Sequence, residues 1–133
     1  MRKHDLSVKP RILVADEARD LTDVYGYLFA AAGYRVLRAY DGVTAAALAK
    51  VVRPEIAVLN QHLPGLTGLD LLRELREAGA RTKVILTSSM DGFSALAARA
   101  LEEGANYCVR QPCPAERLLR MASALRATSA PGR

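Results

Sequence analysis

Short apolar runs alternate five times with longer amphipathic stretches along the 133-residue chain. Apolar runs of this length without a helical period are typical of buried strands. The longer stretches repeat apolar residues three and four positions apart, as a helix with one buried face does. The pattern predicts strands at 11–15, 35–39, 55–59, 83–87 and 106–109 and helices at 16–32, 41–52, 68–78, 93–103 and 114–127. The first helix is predicted to bury Leu21, Val24, Tyr25, Leu28 and Phe29, and the third helix Leu69, Leu72 and Leu75.

Strands that alternate with helices of this length indicate an α/β fold, in which a parallel sheet is covered on both faces. Five such units predict a flavodoxin-like, doubly wound three-layer sandwich with the strand order 2-1-3-4-5. Functional side chains of this fold gather beyond the carboxyl ends of the strands, around the first and third strands. Asp16, Glu17 and Asn60 are predicted to lie there, although they are far apart in the sequence.

Composition sets the limits of this picture. Half of the residues are hydrophobic, which suits one domain with a buried core. We expect a flexible basic leader at residues 1–10, the domain at 11–127 and a disordered tail at 128–133. No apolar run is long enough to cross a membrane, and two cysteines make no disulfide framework, so a cytoplasmic location is expected. The net charge is +5, but Lys and Arg are spread over many segments, so no nucleic-acid surface is predicted.

A distinctive loop follows the third predicted strand. The apolar run ends in the polar residue Asn60, and Pro64, Gly65 and Gly68 follow before the next helix. This arrangement resembles the phosphorylation loop of the response-regulator receiver domain of bacterial two-component systems. The resemblance covers nearly the whole chain and implies that Asn60 occupies the position of the phosphoacceptor aspartate. A carboxylate can attack a phosphoryl donor, whereas the carboxamide of Asn60 carries no charge, so the nucleophile is expected to be missing.

The resemblance also implies an ancestral metal site. Asp16 and Glu17 match the acidic pair of the family, and adjacent carboxylates suit Mg²⁺, a hard cation that prefers oxygen ligands. The alternative is that both residues only begin a helix, whose dipole favours acidic side chains. With Asn60 as the third ligand the Mg²⁺ site is expected to be weak or lost, and no cofactor is required.

Two further family positions depart from the pattern. Receivers carry a lysine before a cis proline after the fifth strand, and here Gln111 precedes Pro112. Arg110 is one residue out of register and is expected to point to the opposite face. The aromatic switch residue of the family corresponds to Cys108.

The hydroxyl residue of the family falls within Thr87-Ser88-Ser89. Counting from Asn60 favours Ser88, and counting back from Gly104 favours Ser89, so Ser88 is preferred with Ser89 as the alternative. A polar strand end that bonds its own backbone would explain these residues equally well. His62 is interpreted as a solvated loop residue, and Cys108 and Cys113 as small buried residues rather than a redox pair.

The sequence therefore predicts a pseudo-receiver, which acts in signal transduction through protein–protein contacts without aspartyl phosphorylation and is not an enzyme. The predicted partners are a histidine kinase, an output protein or a second copy of the chain, bound through the fourth helix, fifth strand and fifth helix. The predicted contact residues are Cys108, Leu118, Arg117 and Arg120, with Glu102 and Glu103 as acidic residues that these arginines could meet in a dimer.

Two alternatives remain at this point. The first is an ordinary phosphoacceptor receiver of a phosphorelay whose acceptor aspartate has been replaced by Asn60. The second is a small flavodoxin-like enzyme or nucleotide-binding protein unrelated to signalling. This would need a glycine-rich loop after the first strand, and the segment Asp16–Asp20 contains no glycine.

Overall fold

The computed structural model describes residues 8–89 and 91–128. It contains five strands and five helices in strict alternation. The strands are β1 (Arg11–Ala15), β2 (Arg35–Ala39), β3 (Ile56–Asn60), β4 (Lys83–Ser88) and β5 (Tyr107–Arg110). The helices are α1 (Arg19–Ala31), α2 (Gly42–Val52), α3 (Gly68–Glu77), α4 (Phe93–Glu102) and α5 (Ala115–Thr128). Most of the predicted leader and tail lies outside the described residues. Within them, no helix is long and apolar enough to span a membrane.

The strands form one parallel sheet in the order β2-β1-β3-β4-β5. This order confirms the predicted flavodoxin-like, doubly wound fold. Because every strand runs the same way, the sheet has one carboxyl edge and one amino edge. The carboxyl edge carries the residues that follow each strand, and the amino edge carries the residues that precede it.

Two apolar layers hold the sheet between the helices. Alternate strand residues point to opposite faces, so Leu13 packs with α2, α3 and α4, whereas Ile12 packs with α1 and α5. All three leucines predicted to be inward in α3 are buried. The prediction for α1 is wrong at Val24, which is 53% exposed. Its place on the buried face is taken by residues that include Thr22, whose hydroxyl donates to the carbonyl oxygens of Asp16 and Ala18.

Helix α1 begins at Arg19, three residues later than predicted, because Asp16 closes a turn before it. One carboxylate oxygen of Asp16, Oδ1, accepts a hydrogen bond from the backbone N–H of Ala18 at 3.0 Å. An aspartate that bonds the backbone two residues ahead favours a turn over a helix. The side chain of Asp16 is thereby fixed at the carboxyl edge.

Charged side chains hold the amino edge together. The guanidinium of Arg76, near the end of α3, donates to the carbonyl oxygens of Ala80, Thr82 and Gly104 at 2.8–3.3 Å. These carbonyls precede β4 and β5, so one side chain ties α3 to two neighbouring strands. Partial burial lowers the pKa of Arg76 below its usual value. We call Arg76 and these three carbonyl groups the amino-edge clamp.

Candidate functional site

Four polar side chains meet at the carboxyl edge. Asn60 is the last residue of β3 and pairs in register with Thr87 of β4. Asp16 directly follows β1, and Gln111 directly follows β5. The strand order places β3 between β1 and β4, so the topology brings these residues together from four separate segments.

The side chains form a continuous chain of hydrogen bonds. Asn60 Nδ2 donates to Gln111 Oε1 at 2.8 Å and to Thr87 Oγ1 at 3.2 Å, and its Oδ1 accepts from the backbone N–H of His62 at 2.8 Å. Gln111 Nε2 in turn donates to Asp16 Oδ2 at 3.4 Å. Asn60 and Asp16 are buried, with 7% and 8% of their surfaces exposed. We call Asn60, Gln111 and Asp16 the amide chain.

The loop between β3 and α3 holds Asn60 at this point. The side chains of Thr67 and Asp70 form a capping box at the start of α3. Each side chain accepts a hydrogen bond from the backbone N–H of the other residue. Gly68 follows Thr67 and lies so close to β3 that an added Cβ would come within 2.8 Å of the Asn60 carbonyl oxygen. A glycine is therefore required where the helix begins against the strand end.

Of the three predicted metal ligands, Asp16 and Asn60 belong to the amide chain and Glu17 does not. Both carboxylate oxygens of Asp16 already accept hydrogen bonds, and the side-chain oxygen of Asn60 faces the N–H of His62. Glu17 is exposed and lines an open groove with His62. Within residues 8–89 and 91–128, no group of three or more His, Cys, Asp or Glu residues is placed to hold a metal ion. The side-chain oxygens of Asp16 and Asn60, two of the three predicted ligands, are thus engaged by hydrogen bonds within the chain.

The hydroxyl in contact with Asn60 belongs to Thr87, which precedes both predicted residues. Ser88 is fully buried, and its carbonyl oxygen accepts from the N–H of Gln111, whereas Ser89 is exposed beyond the strand. In the parallel register, Thr87 is the residue of β4 that pairs with Asn60. The assignment of Ser88, or of Ser89, to the hydroxyl position of the family stays a prediction.

The end of β5 follows the predicted arrangement. The peptide bond between Gln111 and Pro112 is cis. Arg110 points away from the amide chain, and its guanidinium lies 4.8 Å from the ring centroid of Phe93 at the start of α4. Among the described residues, no positively charged side chain takes part in the hydrogen bonds that join Asn60, Gln111 and Asp16.

The cysteines lie on different faces of the sheet. Cys108 packs with the layer of α2, α3 and α4, and Cys113 is buried in the layer of α1 and α5. Both are free thiols. Burial raises the pKa of each thiol above its ordinary value, which keeps them protonated and poorly nucleophilic. This agrees with their interpretation as structural residues, and the side chain of His62 is exposed as expected.

The predicted contact face needs one correction. Arg117 and Arg120 are exposed on α5 and Cys108 is half-buried, but Leu118 is fully buried in the core and cannot contact a partner. Leu118 follows Arg117 by one residue and precedes Arg120 by two, so at 100° per residue it points to a different side of the helix from both arginines. Glu103 is also already paired within the chain, because Arg73 binds its carboxylate at 2.5 and 3.0 Å.

Comparison with known proteins gives a consistent picture. The model of the family "Response regulator receiver domain" matches residues 12–123. The response regulator MprA of Mycobacterium sp. (strain KMS) is 36% identical over 120 residues, which are 90% of this chain and 52% of that protein. The chain therefore spans about half the length of this relative.

Solved structures match over the same region. The receiver domain of the Francisella response regulator 1452 superposes with a TM-score of 0.85 at 25% identity and covers 91% of this chain and 99% of that one. A CheY-like receiver domain protein from Methanospirillum hungatei gives the same TM-score at 21% identity, over 94% of this chain and 100% of that one, and so supports the fold. This chain belongs to the response-regulator receiver domain family of two-component signalling.

Proposed function

We propose that this receiver domain acts by protein–protein contact without aspartyl phosphorylation. The observation that carries the proposal is Asn60, a buried carboxamide at the carboxyl end of β3 with both its oxygen and its nitrogen engaged by neighbouring groups. A carboxamide has no negative charge, and its nitrogen lone pair is delocalised. It cannot form the acyl phosphate that a carboxylate nucleophile forms.

The electrostatics of the amide chain support the same conclusion. Phosphoryl transfer depends on positioned cations that stabilise the charge of the transferring group. At the end of β5 this chain has Gln111, whose amide is already shared between Asn60 and Asp16. An incoming phosphoryl group would therefore meet a neutral donor and a buried carboxylate, which repels it. On the same grounds Mg²⁺ binding is proposed to be weak or absent.

The proposed contact surface is formed by α4, β5 and α5. Arg117 and Arg120 are exposed there, and Arg110 stacks on Phe93. Exposed arginines suit an acidic partner surface, although each ion pair contributes only about 0–1 kcal/mol and mainly sets specificity. A histidine kinase, an output protein or a second copy of the chain is the proposed partner.

Amide NMR with a phosphoryl mimic tests the proposal. The native chain, Asn60→Asp and the double variant Asn60→Asp/Gln111→Lys are each titrated with Mg²⁺ and then with beryllofluoride. The native chain is expected to show no saturable shifts, and the double variant is expected to shift at the carboxyl edge. A fourth chain, which adds Asp16→Asn to the double variant, is the control, and it should lose the response.

The outcomes separate the alternatives. Saturable shifts of the native chain across α4 and α5 would show that phosphoryl switching survives, and the proposal would be wrong. A full response of Asn60→Asp alone would mean that Asn60 by itself blocks the switch and that Gln111 contributes little to the loss.

A further inference from the structure

We propose that Asn60 and Gln111 act as one matched unit, a one-directional chain of amide hydrogen bonds in which each residue orients the other. Changing either residue alone should break the chain, whereas suitable changes of both should not. The inference deepens the proposed function and rests on it, because it describes how the site is completed without a phosphoryl group. Gln111 is here a positioning residue, since it acts through Asn60 and Asp16.

The two ends of the chain fix its direction. At one end, the backbone N–H of His62 can only donate, so Asn60 must turn its oxygen towards it and its nitrogen towards Gln111. At the other end the carboxylate of Asp16 accepts only, so Gln111 must turn its nitrogen towards it and its oxygen towards Asn60. Both requirements are met at the contact of 2.8 Å between Asn60 Nδ2 and Gln111 Oε1.

Burial makes any mismatch costly. Asn60 and Asp16 are nearly inaccessible to water, and Gln111 is half-buried between them. A buried polar group that loses its partner retains its desolvation cost. A reversed amide would place oxygen against oxygen at one contact and leave a donor without an acceptor at the other.

The chain predicts the outcome of specific substitutions. With Asn60→Asp alone, the new carboxylate faces the oxygen of Gln111. If Gln111 turns to donate to residue 60, it then presents its oxygen to Asp16. With Gln111→Lys alone, the ammonium can donate to Asp16 but cannot accept from Asn60, so two donors face each other. With both changes, one ammonium lies between two carboxylates and donates to each.

A double-mutant cycle of urea unfolding, measured without Mg²⁺, tests this coupling. Asn60→Asp and Gln111→Lys are each expected to lower the unfolding midpoint, and the double variant should recover most of the loss. The expected coupling is at least about tenfold in the unfolding constant, equivalent to about 1.4 kcal/mol. Effects of the two changes that simply add would overturn the inference.

Ser89→Lys is the matched control for charge. Ser89 is exposed just beyond β4 at the same edge, so this variant adds a lysine near residue 60 outside the chain. It should not rescue Asn60→Asp. An equal rescue by Ser89→Lys would mean that net charge at the edge, rather than the amide chain, causes the recovery, and the inference would be wrong.

A spectroscopic readout covers the case in which a single variant does not fold. The side-chain NH₂ signals of Asn60 are compared between the native chain and the variants Gln111→Met and Gln111→Glu, which both keep Asn60. Met should shift these signals and speed their exchange with solvent. Glu keeps the acceptor for Asn60 but loses the donor to Asp16, so it should shift the signals less than Met does. Identical spectra for Met and the native chain would overturn the inference. These readouts do not involve beryllofluoride, so failure of the proposed function and failure of this inference give different results.

Discussion

The two edges of the sheet are held together by different kinds of hydrogen-bonding side chain. At the amino edge one guanidinium, that of Arg76, donates to three backbone carbonyl groups. At the carboxyl edge neutral amides, those of Asn60 and Gln111, connect β3, the end of β5 and Asp16. Both clusters tie together segments that are distant in sequence, and both are partly or wholly buried.

The difference shows which charges the fold itself requires. A cation at the amino edge satisfies backbone groups that have no other role, so its function is structural. The carboxyl edge carries the amides of Asn60 and Gln111, from which we propose that phosphoryl chemistry is absent. The charge that remains, on Asp16, is balanced by hydrogen bonds from Ala18 and Gln111. The hydrogen bonds that complete the carboxyl edge are therefore of a different kind from those of the cation at the amino edge.

The largest effect is expected from breaking the amino-edge clamp. Arg76→Met keeps the apolar stem but removes all donors to the carbonyls of Ala80, Thr82 and Gly104. We expect a loss of about 2–3 kcal/mol in the free energy of unfolding, because hydrogen bonds from a charged group are lost and partly buried acceptors remain. Urea unfolding followed by circular dichroism measures it.

Arg73→Met is the matched control for Arg76→Met. Arg73 lies on the same helix, but its donors bind a carboxylate near the surface rather than backbone carbonyls. Its replacement should cost clearly less. Equal losses for the two variants would contradict the assignment of Arg76 as the clamp of this edge.

The sequence predicts the fold well because its signals are local and periodic. Alternating strands and helices led to the correct strand order, and the loop after β3 located Asn60 at the carboxyl edge. The errors arise where three-dimensional contacts decide. Val24 is apolar and in phase with its helix but is exposed, while Thr22 is buried because its hydroxyl bonds two carbonyl groups of its own turn.

The candidate site was predicted in its members but not in its connections. The hydrogen bond between Asn60 and Thr87 depends on the register between β3 and β4, which residue counting cannot fix. The direction of the amide chain depends on what each end can donate or accept, and His62 contributes through its backbone rather than its side chain. No pattern in the sequence carries that information.

The next largest effect is expected at the start of α3, where the backbone sets the geometry of the carboxyl edge. An added Cβ at Gly68 would meet the Asn60 carbonyl oxygen at 2.8 Å and Leu86 Cδ1 at 2.5 Å. Gly68→Ala should therefore destabilise the domain by about 2 kcal/mol, a typical cost of overpacking. It should also shift the NMR signals of Asn60 and Gln111. Thermal unfolding and amide spectra measure the two effects.

Gly26→Ala provides the control for Gly68→Ala. Gly26 lies within α1, and the nearest atoms to its added Cβ belong to the movable end of the Arg38 side chain. Alanine favours a helix interior over glycine by about 1 kcal/mol, so this variant should be as stable as the native chain or more so. A comparable loss at both glycines would show that the close approach at Gly68 has no special role.

The smallest effect is expected for the ion pair between Arg73 and Glu103, and its dependence on conditions sharpens the contrast between the edges. The hydrogen bond from Arg73 is the main reason that the pKa of Glu103 lies below its usual value. A carboxyl group with a lowered pKa stabilises the fold above its ordinary pKa, and that contribution is lost as pH falls through the lowered value. Glu103→Gln should therefore lower the free energy of unfolding by less than Arg76→Met does at pH 7. This loss should vanish in acid. It should also shrink in 1 M salt, where charges are screened over about 3 Å. The cost of Gln111→Met should change little with salt, since the half-buried amide that is lost carries no charge. If added salt reduced both costs equally in urea unfolding, the carboxyl edge would depend on charge as the surface pair does, and the distinction drawn between amide and ionic contacts would not hold.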